Sequence, residues 1–192
     1  MVDFLPPIEK RVRLPIHCSV AYRLWTTRDG LVSFFAEDAR FELRGGGPFE
    51  ILFDTDEPPG QQGSEGCQVL AWLQDSLLAV SWNAPPEFPE ERAEIAQPEG
   101  ARPFVLVRFE PVGESETDVT IHHGGMPNRN QWPGVRDYFA RAWSAVLCWL
   151  ETRVVNGPIP WQAGPPPRPS HDYETLVASS PPEQAREQQS PE

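Results

Sequence analysis

Apolar and polar positions alternate from Glu9 to Ile16 around Val12, Leu14 and Ile16, the period of a strand with one buried face. Ser19 then reads as the N-cap of a short helix carrying Val20, Leu24 and Trp25. Asp29 and Gly30 interrupt it, and Leu31 to Phe35 reads as a second short helix ending near Ala36. Ala39 to Leu43 alternates again, runs into Gly45, Gly46, Gly47 and Pro48, and resumes from Phe49 to Phe53, which predicts a hairpin. Gly66 to Leu73 and Leu77 to Trp82 are two further strands, joined by Gln74, Asp75 and Ser76. Residues 84–103 carry five prolines and read as one long loop. Phe104 to Glu110 and Thr117 to His123 form a last hairpin that turns at Pro111 to Glu114. The strongest period comes at the end. Val135, Phe139, Ala142, Trp143, Val146, Leu147, Leu150 and Val154 share one face of a helix over 135–155, which Asn156, Gly157 and Pro158 stop.

That order predicts an α+β fold. A run of antiparallel strands with one apolar face must bury it, and only helix 135–155 is long enough to cover it. A curved sheet wrapped around that helix follows, with two short helices after the first strand. A curved sheet and a straight helix do not meet everywhere, so a cavity between them is expected.

The chain divides at residues 9 and 157. Residues 1–8 are an N-terminal extension, 9–157 the domain, and 158–192 a proline-rich tail whose composition reads as disordered. Tyr173, Leu176 and Val177 are its candidates for a docking motif, against the simpler reading of a solvated tail. The whole chain carries a net charge of -12, and Arg168 and Arg186 against five acids give the tail only a small share of it. A surface this acidic does not displace the counterions of nucleic acid or bind an anionic membrane surface. No apolar run approaches a spanning length, and the first residues lack the order of a signal peptide. Cys18, Cys67 and Cys148 are odd in number and far apart, as expected of reduced thiols in a cytoplasmic protein.

Candidate chemistry is sparse. Asp54, Asp56 and Glu65 imitate a calcium loop, but Pro58 and Pro59 stand where it needs a ligand and its glycine. Gly45, Gly46 and Gly47 lack the Lys-Ser/Thr of a phosphate loop, and His17 and His171 are isolated. No metal and no cofactor is expected. Glu87, Glu90, Glu91 and Glu94 read as a solvated loop. His123 shares a strand face with Val119 and Ile121, so it points inward while His122 points out. It reads either as an acid/base or polar anchor in the cavity, or as a histidine satisfied by a neighbour. Among the tryptophans, Trp82 and Trp143 fall on inward faces, Trp25 and Trp132 are placed at the cavity mouth, and Trp149 lies off the helical stripe. Core packing alone accounts for most such rings.

Several ordered segments carry a resemblance: Val20 to Trp25, Gly30 with Leu31, Arg44 to Phe49, Gly66 to Leu70, Leu78 to Trp82, Phe109 to Gly113, Thr117 to Gly125, and Phe139 to Leu150. Together, over about residues 9–157, they resemble the START-like (SRPBCC, helix-grip) superfamily, in its Hsp90 ATPase activator homologue (AHSA1-like) branch. The resemblance implies a pocket between sheet and helix, and three functions. The first is binding of a small apolar or aromatic molecule. The second is an interaction module that modulates an Hsp90-like chaperone. The third is a polyketide cyclase or aromatase with His123 as proton shuttle. Face and resemblance together select Phe35, Phe49, Trp82, Val107, Phe109, Ile121, His123, Phe139 and Trp143 as pocket walls. Binding leads, since no second acid/base accompanies His123.

Overall fold

The computed structural model describes residues 3–97, 99–164, 166 and 167. Strand β1 (Ile8–Leu14) is followed by helices α1 (Cys18–Trp25) and α2 (Arg28–Val32). Strands β2 (Asp38–Phe41), β3 (Phe49–Leu52), β4 (Val69–Leu73) and β5 (Leu77–Ser81) come next. Helix α3 (Pro89–Ile95), strands β6 (Phe104–Val112) and β7 (Glu116–Gly124), and the long helix α4 (Trp132–Asn156) complete the domain. The fold is α+β, with five antiparallel strands in the order β1-β7-β6-β5-β4 curved around α4. The β2–β3 hairpin is a separate two-stranded piece, and single bridges tie it on, Pro48 opposite Gln68 and Leu52 opposite Gly63.

Local chemistry moves the short helices from their expected bounds. His17, not Ser19, caps α1, its Nδ1 accepting the Ser19 N–H at 3.3 Å. Thr27 caps α2, its hydroxyl accepting the Gly30 N–H at 3.0 Å, so that helix starts three residues before Leu31. Gly30 therefore lies inside the helix rather than breaking the chain before it. A β-carbon there would sit 2.5 Å from the Leu24 carbonyl oxygen, so the glycine lets α2 press against the end of α1.

The segment 84–103 is not one loop. Pro89 occupies the first turn of α3, where its missing N–H is no loss, and Glu90 and Glu91 sit at the positive end of the helix. Two of the acids read as solvated are structural. Glu91 is buried and accepts the Gln131 N–H at 3.1 Å. Glu94 accepts the Trp132 indole N–H at 3.0 Å and pairs with Arg129. Burial would raise the Glu94 carboxyl, but these bonds outweigh it and hold it below the usual range. Both carboxylates fasten α3 to the start of α4.

The inner face of the sheet is built in rows. Ile8, His123, Val105, Val80 and Val69 form one row across five strands. Lys10, Ile121, Val107 and Leu78 form the next, and Lys10, the only lysine of the chain, is buried there. Phe139, Trp143, Val146, Leu147 and Leu150 of α4 close onto these rows. The helix lies closest to β1, so the space between helix and sheet opens on the other side, toward β5 and the hairpin.

Packing continues past residue 157. Ile159 is buried and its N–H donates to the Ser33 carbonyl at 2.9 Å. Trp161, in a single 3-10 turn, donates its indole N–H to the Val32 carbonyl at 2.6 Å. The rest of the expected tail, with His171, Tyr173, Leu176 and Val177, lies outside the described residues.

Candidate functional site

A cleft of about 240 Å³ occupies that open side. One wall is a second apolar face of α4, made by Tyr138, Ala142, Ala145 and Trp149 beside the buried stripe. Trp82, at the end of β5, and Phe35, after α2, form the floor with Phe139 and Trp143. Asn83 to Pro86 turn back over it, because two successive prolines cannot continue the strand. Phe53, Gly63 and Ser64 close the far side.

The floor is a connected set of rings. Trp82 and Trp143 are 5.2 Å apart between centroids, Phe35 meets Trp143 edge-on at 5.9 Å, and Phe139 meets Trp82 edge-on at 6.4 Å. Behind them, Phe49 touches Trp82 at 6.1 Å, and the His123 ring lies 4.7 Å from Phe139. Four of the expected wall residues, Phe35, Trp82, Phe139 and Trp143, thus come together at the cleft. Phe49 and His123 form the layer behind. Val107, Phe109 and Ile121 lie in the solid core, where Phe109 packs edge-on against Tyr22 at 5.5 Å. Trp25 and Trp132, expected at the mouth, are core residues exposed by only 1% and 0%. Trp25 is enclosed by Phe34 and Phe35, and Trp132 by its bond to Glu94.

The polar groups of the cleft are largely spent on holding its walls. Ser64 Oγ accepts the Ile51 N–H at 2.7 Å and donates to the Phe49 carbonyl at 3.2 Å. Asn83 donates to the Glu65 carbonyl. Arg92 donates to three carbonyls, Ala84 at 2.7 Å, Gly60 at 2.9 Å and Gly63 at 3.0 Å, and so pins α3 to the opposite rim. These carbonyls take three of its five N–H donors and are themselves uncharged. The result is an apolar slot with one cation at its edge.

His123 is fully buried, and desolvation pushes its pKa down to about 3. The Trp143 indole N–H donates to its Nδ1 at 3.0 Å, so the ring proton of the neutral imidazole sits on Nε2. Nε2 has no partner among the described residues. A histidine held neutral behind two aromatic rings is a fixed hydrogen-bond acceptor for Trp143, not a group poised to exchange protons near neutral pH. His122 faces outward, 3.3 Å from Glu9. The thiols are not activated either. Burial pushes Cys67 up to about 12 and also raises Cys18 and Cys148. Among the described residues no cluster of His, Cys, Asp or Glu could hold a metal ion, and no helix is long and apolar enough to cross a membrane.

Sequence reasoning missed Tyr138, Ala145 and Trp149 as walls. Their signal was present, since 138, 142, 145 and 149 follow helical spacing on a face next to the main stripe. Pro85, Pro86 and Arg92 had no such signal.

A curved antiparallel sheet gripping one long C-terminal helix, with an aromatic cleft between them, defines a START-like domain of the helix-grip kind. The sequence narrows the class. The chain matches the family model "Activator of Hsp90 ATPase homolog 1-like protein" over residues 17–154, and it belongs to that family. No curated protein matches the chain in sequence. Solved structures share the fold at low identity. An HSP90 activator from Plasmodium falciparum is 18% identical, with 81% of this chain and 99% of that one covered at a TM-score of 0.56. The Aha1 dimer from Colwellia psychrerythraea is 18% identical, with 80% and 98% covered at 0.55. CalU16 from Micromonospora echinospora is 16% identical, with 85% and 87% covered at 0.55.

Proposed function

We propose that this protein binds a small aromatic molecule in the cleft between α4, Trp82 and the Asn83–Pro86 turn. The observation that carries this reading is a cleft of about 240 Å³ floored by four aromatic side chains. An apolar cavity of about 150 Å³ accommodates benzene, so this one suits a guest of one to two fused rings, on the order of ten non-hydrogen atoms. A long lipid chain does not fit. In this reading Phe35, Trp82, Phe139 and Trp143 contact the guest, whereas Phe49 and His123 set the floor from behind.

The test is calorimetric titration with 2-naphthol, a probe of the right size. The expected result is one saturable site with Kd near 10 µM, about -7 kcal/mol. Phe139→Leu keeps the core apolar but removes one ring from the floor, and should weaken binding about five- to tenfold at a stability cost of about 1 kcal/mol. The absence of saturable binding would remove the ligand reading.

Family membership favours a second reading, modulation of an Hsp90-like chaperone through the outer surface. Addition of the chain would then raise the ATP turnover of such a chaperone, equally with wild type and with Phe139→Leu. A cyclase would need proton transfer at the cleft, and the neutral, enclosed His123 gives that reading no support.

A further inference from the structure

Among the described residues that line the cleft, Arg92 is the only charged one. Its guanidinium is fixed where two walls meet. Nη1 donates to the Ala84 carbonyl on the rim turn at 2.7 Å, and Nη2 donates to the Gly63 carbonyl on the far side at 3.0 Å. A further bond from Nη2 to the Gly60 carbonyl at 2.9 Å completes the hold. No carboxylate among the described residues forms an ion pair with Arg92. Most arginines of the fold differ in this respect, as Arg28 pairs with Asp38 and Arg40 with Glu50. The acids on the same side are committed elsewhere. Glu65 accepts the Gly60 and Gln62 N–H groups at 2.6 Å and 2.8 Å, and Glu50 accepts the Gly66 N–H at 2.9 Å besides pairing with Arg40.

We propose that the guest of the cleft is an aromatic carboxylate, with its ring on the aromatic floor and its carboxylate on Arg92. Two of the five guanidinium donors, the Nε–H and one Nη1–H, have no acceptor among the described residues. A hydrogen bond between two charged partners is about twice as strong as one between neutral groups. Arg92 is half-buried beside apolar walls, where a charge acts more strongly than in open water. The three carbonyl bonds already hold the side chain in place, so little freedom is lost when a guest arrives. One positive charge suits a single carboxylate better than a phosphate monoester, which carries nearly two negative charges. The net charge of -12 opposes an anion at long range, but salt screens it beyond about 8 Å and does not screen a contact in the cleft. The proposal rests on the reading that the cleft takes an aromatic guest, and it adds the charge that this guest carries.

The experiment compares 2-naphthoate with its uncharged isostere 2-naphthamide by calorimetric titration of the full chain at pH 7.5. The naphthoate should bind about tenfold more tightly than the amide, and the cation 2-naphthylmethylamine should bind more weakly than either. In Arg92→Gln the ratio of naphthoate to amide affinity should fall to about one. That ratio is taken within one protein, so walls loosened by the lost carbonyl bonds weaken both guests and leave it unchanged. If Arg92→Gln does not fold, the wild-type comparison decides alone, because no other charged residue lines the cleft. Equal affinities of naphthoate and amide for wild type would overturn the proposal, while saturable 2-naphthol binding would still uphold the ligand reading. A naphthoate preference that persists in Arg92→Gln would overturn it as well. Absence of binding by all of these guests would remove the ligand reading and the proposal together.

Discussion

Leu147→Asp should leave the chain unfolded at room temperature. Leu147 has no exposed surface and lies on the α4 stripe that fills the inner face of the sheet. A carboxylate there has no exposed surface through which to reach water. An unpaired buried charge costs several kcal/mol, against a total stability of about 5–15 kcal/mol for a domain of this kind. Arg141→Ala is the matching control. Arg141 is exposed on the same helix, and its replacement should shift stability by less than about 0.5 kcal/mol. Far-ultraviolet circular dichroism and urea unfolding of the two variants distinguish them. Equal damage from both would mean that α4 presents a different face to the sheet.

The second large effect is acid lability centred on His123. Its pKa falls from an ordinary 6.5 to about 3 in the folded chain because burial disfavours the imidazolium. A lowered folded-state pKa means that the unfolded chain takes up the proton first. The stability that neutral His123 permits is therefore complete above pH 6.5 and is lost progressively as pH falls from there toward 3. The loss from this one group should reach about 2 kcal/mol by pH 5. His123→Gln retains an acceptor for the Trp143 indole N–H but cannot titrate. It should cost some stability at pH 7.5 and flatten the fall between pH 6.5 and 4.5. Urea unfolding of both proteins across that range measures the difference. Parallel profiles would show that the His123 ring gains water or a partner in solution.

The fate of particular elements shows what a single sequence carries. Helix α4 and the hairpins were legible because each repeats one period long enough to leave a single solution, 3.6 for the helix and 2 for the strands. The inward facing of His123 followed from the same period of two. Helix α3 was hidden because Pro89 can break or begin a helix, and only its position in the first turn decides which. Glu91 and Glu94 look like surface acids until Gln131 and Trp132, some 40 residues away, are brought beside them. The cleft was half legible for a similar reason. Strand periodicity says that Val107, Phe109 and Ile121 face inward, but not that α4 lies closest to β1 and leaves its gap farther along the sheet. Trp82 and Phe139 border that gap; the other three are sealed in the core. Near the C-terminus, composition placed the domain boundary at 157, whereas Ile159 and Trp161 pack on α2 from within a proline-rich stretch.

The exposed apolar residues Leu70, Trp72 and Leu73 on edge strand β4 offer a second place where an apolar molecule can adhere, so binding alone does not locate the site. The most direct measurement is therefore a residue-resolved titration of the full chain with 2-naphthol, following the indole N–H signals. The aromatic cleft predicts that Trp82, Trp143 and Trp149 shift together along one saturable isotherm, while Trp132, buried at the start of α4 and bonded to Glu94, does not respond. Shifts confined to Trp72, or no saturable shift at any cleft tryptophan, would contradict it.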